Sequence, residues 1–191
     1  MPIKILALCG SSQANSLNGK LLATAMNWLK ARELVVTQLD LAALNLPIYH
    51  AELDAAGDPP EGVMTLQLAL REHHAILLAS PEYNGFFTPL LKNAVDWASR
   101  TRAGQSNPFA GKIAALLAAS PGVLGGIRGL PMTRLLLANL GAVVIAQQMS
   151  LPRAHEAFAA QGELLDARQQ QMLEGVLGEL LEMSRRQSAS I

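Results

Sequence analysis

The stretch AILLASPEYNGFFTPLLKNAVDW, residues 75–97, decides how this chain folds. Its first five residues form a continuous apolar run, which is typical of a short strand buried on both faces. A polar loop over residues 80–88 follows and contains an Asn-Gly turn. Residues 89–99 then repeat apolar side chains at helical spacing, with Pro89 in the first turn, where its missing N–H costs nothing. The stretch therefore predicts a strand, a loop and a helix, the unit from which open α/β sheets are built.

The same alternation continues in both directions along the chain. Strands are predicted over residues 3–9, 33–39, 75–79, 112–118 and 142–149, and helices over 17–31, 61–71, 89–99, 125–140 and 166–185. Such alternation predicts an α/β fold with a parallel sheet and helices on both faces. Residues 40–60 form a long irregular segment, which is often functional or interface-forming in compact domains. We expect one domain over residues 1–186 and a disordered tail over 187–191.

Composition excludes several classes of function. Of the 191 residues half are hydrophobic and 16% are charged, the formal net charge is zero, and no basic run favours nucleic acid. The single cysteine, Cys9, excludes an internal disulfide framework, and the four histidines show no metal-ligand spacing, so we expect no metal. No apolar run approaches the roughly 20 residues that span a bilayer, and no signal peptide is evident, so we expect a cytoplasmic protein without a membrane partner.

Three of the loops that follow predicted strands carry polar or glycine-rich sequence, over residues 10–18, 80–88 and 120–126. Because the carboxyl ends of parallel strands share one edge, these loops are expected together where open α/β sheets bind ligands. In the first loop, helix N–H groups with Ser11, Ser16 and Asn18 as side-chain donors suit a phosphate. The loop has neither the Walker A pattern nor the dinucleotide fingerprint. A simple capped turn with Ser16 as the N-cap is equally compatible with it.

The other two loops also leave two interpretations open. Glu82, Tyr83 and Asn84 place an acid, a phenol and an amide together, a mixture suited to a planar heteroaromatic ring with polar edges. They also fit a solvated turn whose tyrosine only packs. The run SPGVLGG at residues 120–126 allows a backbone to approach a ligand closely, but it also fits a glycine-rich helix start.

Three motifs resemble the NAD(P)H-dependent FMN reductases: G-S-x-x-x-x-S-x-N at residues 10–18, P-E-Y-N-G at 81–85 and L-K-N-A-V-D-W at 91–97. That family has a flavodoxin-like fold and includes quinone, azo-dye and chromate reductases. The resemblance implies a three-layer sandwich with a five-stranded parallel sheet in the order 2-1-3-4-5. It also implies an enzyme that passes hydride from NADPH or NADH through FMN to a small acceptor, such as a flavin, quinone, azo compound or metal oxyanion.

The resemblance further implies which residues hold FMN. They are Ser11, Gln13, Ser16, Leu17 and Asn18 around the phosphate, Pro81, Glu82, Tyr83, Asn84 and Gly85 along the ring and ribityl chain, and Ser120, Gly122, Gly125 and Gly126 at the ring's other edge. No catalytic side chain is expected, because the flavin itself carries out hydride transfer. A homodimer or homotetramer is implied, in which the segment over residues 40–60, with Tyr49 and His50, reaches a neighbouring subunit's flavin.

Two departures from the family pattern bear on the site. Many relatives have an arginine where this chain has Gln13, so we expect either that FMN binds more loosely here or that the phosphate of the pyridine nucleotide is held differently. Phe86 and Phe87 are bulkier than the residues usual after this turn, and they either narrow access to the flavin or pack elsewhere. A 2′-phosphate of NADPH has three candidate cations, at Arg102, Lys112 and Arg128.

Two other functions remain compatible with this fold. One is an FMN electron carrier without NAD(P)H activity, although such carriers are usually acidic and this chain is neutral. The other is a non-redox module that binds a phosphate ligand, because a fold does not fix a function.

Overall fold

The computed structural model describes residues 2–101 and 104–189 of the protein. Its strands are β1 (Lys4–Cys9), β2 (Val35–Leu39), β3 (Ala75–Ala79), β4 (Ile113–Ala119) and β5 (Val143–Leu151). Its α-helices are α1 (Leu17–Lys30), α2 (Ala51–Ala55), α3 (Glu61–Glu72), α4 (Pro89–Ala98), α5 (Gly129–Asn139) and α6 (Ala167–Ala189), and a short 3₁₀ turn covers Ala154–Glu156. None of the helices in these two ranges combines the length and apolarity needed to cross a bilayer.

The five strands form one parallel sheet in the order β2-β1-β3-β4-β5, which confirms the predicted flavodoxin-like topology. Cys9 at the end of β1 lies beside Ala79 at the end of β3. Ala79 in turn pairs with Leu117, so β4 runs two residues beyond β3 before it ends at Ala119. The loops after β1, β3 and β4 therefore leave the sheet at one edge, as expected.

β3 and β4 are apolar along their whole length, and β1 is apolar after Lys4, because both faces of these strands are covered. On one face, residues such as Ile5, Ala7 and Leu77 pack against α1 and α6. On the other face, Leu6 and Ile76 and their neighbours pack against α3, α4 and α5. All residues of β3 and β4 are buried. Burial on both faces explains why continuous apolar runs, rather than alternating ones, predicted these strands.

Several predicted boundaries differ from the structure. α2 was not predicted because its five residues bury no side chain and so leave no apolar periodicity. α5 begins at Gly129 rather than at residue 125, since Gly125 and Gly126 have φ of 62° and 85°, which a right-handed helix cannot contain. α6 continues to Ala189, so the prediction of a disordered tail is wrong for residues 187–189, and residues 190 and 191 lie outside the described part.

Candidate functional site

Three loops meet at the carboxyl edge of the sheet: loop 1 (residues 10–16), loop 2 (residues 80–88) and loop 3 (residues 120–128). Loop 1 is joined to the end of β3, because the Gly10 N–H donates to the Ala79 carbonyl (2.8 Å), and to loop 2, because the Thr88 hydroxyl donates to the Gly10 carbonyl (2.6 Å). A Cβ at Gly10 would lie 2.5 Å from Ser80 Oγ, so only glycine allows this close approach.

Loop 1 ends at the N-terminus of α1, which is open at its first turn. Ser16 is the N-cap, and its hydroxyl accepts the N–H of Gly19 at 3.2 Å. By helix geometry, the N–H groups of Leu17 and Asn18 have no intrahelical acceptor. Residues 12–15 beside them are exposed. Loop 1 is therefore both a capped turn and a place where an anion can meet helix N–H groups.

The side chain of Asn18 has a different task from the one expected. It is 2% exposed, its amide donates to the carbonyl of Ala119 (2.8 Å), and its oxygen accepts the Ala119 N–H (2.9 Å). β3 ends before it reaches Ala119, so the amide takes the place of a missing strand partner. The prediction of Asn18 as a side-chain donor to a phosphate is therefore corrected: its amide ties α1 to β4, and only its N–H faces the loop.

Loop 2 is a tight hairpin turn that presents aromatic side chains. Tyr83 and Phe86 exchange backbone hydrogen bonds of 2.9 and 3.0 Å, and Asn84 and Gly85 between them have φ of 54° and 84°. Positive φ at both central positions is the geometry that the Asn-Gly pair favours. Tyr83 and Phe86 are 51% and 54% exposed. Phe87 instead packs against the core, so only one of the two phenylalanines stands at the rim of the site.

Loop 3 is held tightly at its glycine pair. A Cβ on Gly125 would lie 2.6 Å from the backbone nitrogen of Pro152, and one on Gly126 would lie 2.9 Å from the Cβ of Ala118. Gly122 has more space, since a Cβ there would meet only the Ser120 hydroxyl at 3.7 Å among the described residues. The two glycines at 125 and 126 therefore serve loop packing, whereas residues 120–124 form the outer part of the loop.

Apolar side chains stand exposed around this edge of the sheet. They are Tyr83, Phe86, Val123, Leu124 and Ile127, between 48% and 70% exposed. Loops 2 and 3 contribute these side chains. Loop 1 leads into the open N-terminus of α1 at the same edge. An edge that offers N–H groups at one place and apolar side chains at another suits a ligand with an anionic end and a flat apolar ring.

Of the two candidate cations within the described residues, Arg128 lies at this edge and Lys112 does not. The Arg128 guanidinium bonds to the Glu82 carboxylate, and the Arg128 side chain is 64% exposed. Lys112 precedes β4 and so lies at the opposite edge, where its ammonium group donates to the carbonyls of Arg71 and His73. Burial, together with the Arg71 charge, lowers the pKa of Lys112. Arg102 lies outside the described residues.

The motif at residues 91–97 holds the long segment that follows β2. The Asn93 amide accepts the Tyr49 N–H (2.7 Å) and donates to the Pro47 carbonyl (2.9 Å), which also accepts the indole N–H of Trp97 (2.7 Å). The Tyr49 ring lies edge-on to Trp97 with centroids 5.1 Å apart. Tyr49 is thus held by contacts within this chain, whereas Ile48 beside it is 87% exposed. The sequence showed the motif but not its role as an anchor.

A cavity lies away from the three loops. It has a volume of about 670 Å³, sits between α2, α3 and the C-terminal end of α4, and includes no residue of loops 1, 2 or 3. The site at the sheet edge is instead an open surface. Among residues 2–101 and 104–189, no three His, Cys, Asp or Glu side chains come together in a way that could hold a metal ion.

Comparison with known proteins identifies the family. Residues 3–156 match the family model for NADPH-dependent FMN reductase. The chain belongs to this family. It is therefore an oxidoreductase that uses FMN with a nicotinamide nucleotide, as the resemblance in the sequence implied.

Relatives of the NADPH-dependent FMN reductase family match most of the chain. An NAD(P)H-dependent FMN reductase from Pseudomonas aeruginosa is 34% identical over 174 residues, which covers 90% of each protein. A quinone reductase from Escherichia coli K12 is 31% identical over 143 residues, 75% of this chain and 73% of that protein. The solved structure of FerB, a flavoenzyme NAD(P)H:(acceptor) oxidoreductase from Paracoccus denitrificans, has a TM-score of 0.83 and 29% identity and covers 97% of this chain and 98% of that one.

The residues at the sheet edge fit FMN. The N–H groups of Leu17 and Asn18 at the start of α1 suit its phosphate, which needs hydrogen-bond donors. The exposed rings of Tyr83 and Phe86 and the side chain of Val123 suit the flat, largely apolar isoalloxazine ring. No charged side chain is needed for this fit, although Gln13 leaves loop 1 itself without a cation.

Proposed function

We propose that FMN binds across the three loops, with its phosphate on loop 1 and its ring between loops 2 and 3. The observation that carries this proposal is that one edge of the sheet combines the open N-terminus of α1 with exposed apolar side chains from loops 2 and 3. Ser11, Gln13 and Ser16 would contribute polar side chains, and Leu17 and Asn18 their N–H groups. Backbone groups of the other predicted residues in loops 2 and 3 would meet the ring.

The chain's own residues would bind and orient rather than react. When bound, FMN supplies the hydride chemistry that links the nicotinamide nucleotide to the acceptor. Loop 2 carries the carboxylate of Glu82. This carboxylate already accepts four hydrogen bonds from Arg128 and Gly129, so it is not free to move a proton. The rim formed by Tyr83 and Phe86 would hold flat partners against the ring and exclude water from one side.

The acceptor is a small molecule that reaches an open surface. Quinone and free flavin are the acceptors that the names of the relatives suggest, and azo compounds and metal oxyanions are further candidates. The apolar rim favours flat, uncharged acceptors over oxyanions, and the Arg128 guanidinium at this edge is already paired with Glu82. Turnover with a quinone, an azo dye and chromate under equal conditions would rank them, and a preference for chromate would contradict this order.

We also propose a homodimer or homotetramer. Ile48 and Leu53, in and beside the anchored segment, and Met64 and Leu68, one turn apart on α3, are between 48% and 87% exposed. Burial of such side chains against a second copy would remove them from water. Light scattering after size exclusion tests this: we expect an oligomer that Leu68→Glu weakens, and a monomeric wild type would contradict the proposal.

A cytoplasmic location is proposed because NAD(P)H is supplied there.

The visible absorption spectrum tests the central proposal. We expect the purified protein, mixed with excess FMN, to show bound-flavin absorbance that bleaches when NADPH or NADH is added without oxygen. Flavin that binds but stays oxidised with both nucleotides would favour an electron carrier. The absence of any bound flavin would favour a non-redox module and would refute the proposed site.

A further inference from the structure

Glu82 in loop 2 forms an ionic contact with the first residues of α5. Its carboxylate oxygen Oε1 accepts from Arg128 Nε (2.7 Å) and Nη2 (2.6 Å), while Oε2 accepts the backbone N–H groups of Arg128 (2.9 Å) and Gly129 (3.1 Å). Both oxygens thus have two donors. The side chain of Glu82 is 7% exposed, whereas that of Arg128 is 64% exposed. The nearly buried carboxylate of loop 2 therefore has all its hydrogen bonds from Arg128 and Gly129, at the junction of loop 3 and α5.

The contact replaces the usual cap of α5. The N-cap position of α5 is Arg128, whose side chain makes no capping hydrogen bond. The Glu82 carboxylate supplies this cap instead, where a negative charge also meets the positive end of the helix dipole. Burial by itself would raise the pKa of Glu82, but the hydrogen bonds from Arg128 and Gly129 prevail and lower it, so the carboxylate is charged at neutral pH.

Gly129, the first residue of α5, makes room for the Glu82 side chain. A Cβ on Gly129 would lie 3.2 Å from the Cβ of Glu82, tighter than most contacts allow. The other side of loop 3 is held by backbone bonds, since the N–H groups of Arg153 and Ala154 donate to the carbonyls of Gly122 and Ser120 (3.0 and 2.9 Å). Loop 3 is thus fixed between the end of β5 and Glu82, and Glu82 provides its link to loop 2.

We propose that Glu82 is a positioning residue that sets the spacing of loops 2 and 3 and thereby the affinity for FMN. This inference rests on the proposed function, in which the ring lies between these loops. If loops 2 and 3 are already held at the spacing that the ring needs, they lose less conformational entropy when FMN binds, and the affinity is higher. Loss of the Glu82 carboxylate would leave the backbone N–H groups of Arg128 and Gly129 without the acceptor that they have now, whereas the exposed Arg128 guanidinium can turn to water. The Glu82 side chain acts through loop 3 and does not need to touch the cofactor.

Calorimetric titration with FMN on four proteins tests the proposal: the wild type, Glu82→Gln, Arg128→Met and the double variant. Glutamine offers one acceptor oxygen and turns an NH₂ group toward other donors, so we expect FMN to bind at least tenfold more weakly. Arg128→Met should cost less, because the Arg128 and Gly129 N–H groups keep their acceptor. The double variant should bind no more weakly than Glu82→Gln, since both changes break one contact.

A spectroscopic measurement separates positioning from general stability. At saturating FMN, the visible spectrum of Glu82→Gln should differ from that of the wild type, because the surroundings of the ring change. Glu156→Gln is the matched control: Glu156 is exposed, pairs with His155 beyond the end of β5, and lies outside the three loops. It should keep the wild-type affinity and spectrum.

Three results would overturn the inference. One is an FMN dissociation constant of Glu82→Gln within twofold of the wild type; another is a lowered melting temperature with unchanged affinity and spectrum. If Glu82→Gln fails to fold, Arg128→Met carries the test, and wild-type affinity in that variant would also refute it. A wild type that takes up no FMN would instead refute the proposed function, and this inference with it, so the two failures are distinguishable.

Discussion

Replacement of Asn18 by alanine should destabilise the protein through the end of β4. The Asn18 amide makes two hydrogen bonds to Ala119, of 2.8 and 2.9 Å, across 101 residues of sequence. Both residues are 2% exposed, so water cannot replace the amide without a rearrangement. The variant leaves the N–H and the carbonyl of Ala119 buried without the partner they have now.

The expected loss follows from these two groups. An unsatisfied buried polar group costs about 1–3 kcal/mol, so two of them together cost roughly 2–6 kcal/mol. For a domain of about this size, each kcal/mol lowers the melting temperature by about 2–4 °C, which gives a decrease on the order of 10 °C. Asn18→Asp should also destabilise, since a carboxylate oxygen would then face the carbonyl of Ala119 in a buried place.

Urea unfolding followed by circular dichroism measures this loss. The midpoint should shift while the slope of free energy against urea stays unchanged, because the change removes contacts and not compactness. Asn27→Ala is the matched control: Asn27 lies on the exposed side of the same helix, so its replacement should change stability by less than about 0.5 kcal/mol. A loss below about 1 kcal/mol for Asn18→Ala would refute the role assigned to this amide.

Three further predictions concern the loops and the opposite edge of the sheet. Gly10→Ala should destabilise by about 1–3 kcal/mol in urea unfolding, because the added Cβ would lie 2.5 Å from Ser80 Oγ. Gly178→Ala is the control and should not destabilise, since a Cβ there meets no neighbour within 4 Å; equal effects of the two changes would contradict the prediction. Gln13→Arg should tighten FMN several-fold in a titration, since a charged hydrogen bond exceeds a neutral one by roughly 1 kcal/mol, and an unchanged dissociation constant would exclude the idea. Burial, assisted by nearby lysine charges, lowers the pKa of His74 below its ordinary 6.5 in the folded protein. The stability contributed by the neutral ring is therefore present above pH 6.5, and it is lost as the pH falls through the lower pKa of the folded state. The slope of unfolding free energy between pH 7 and 5 should therefore be smaller in His74→Asn, and an identical slope would show that another group titrates.

Much of the fold could be predicted because each strand carries its own local signal. The run at Ala75–Ala79 was predicted with both ends correct, since five apolar residues stand between a polar helix end and a proline. The boundaries that failed lack such a signal. α2 buries nothing, and the start of α5 depends on Gly125 and Gly126, whose backbone conformation the sequence only suggests.

The candidate site was predictable in its parts but not in its contacts. The Asn-Gly turn of loop 2 and the cap at Ser16 are local, so residue types alone indicated both. The direction of the Asn18 amide, by contrast, depends on where the distant strand β4 ends. In the structure this amide bonds to Ala119 and does not face the loop. The pattern of residues 91–97 likewise gave no sign that Asn93 anchors the segment at Pro47.

The sequence by itself determined the order of strands and helices, the family and the three loops that carry polar residues. These follow from properties of neighbouring residues: periodicity, turn chemistry and short motifs. Only the tertiary structure decided that Glu82 meets Arg128, 46 residues away, and that Lys112 lies at the edge opposite to the loops. Such pairings depend on the stacking of strands and on the direction in which each chain segment leaves the sheet, and no local pattern of residues encodes either one.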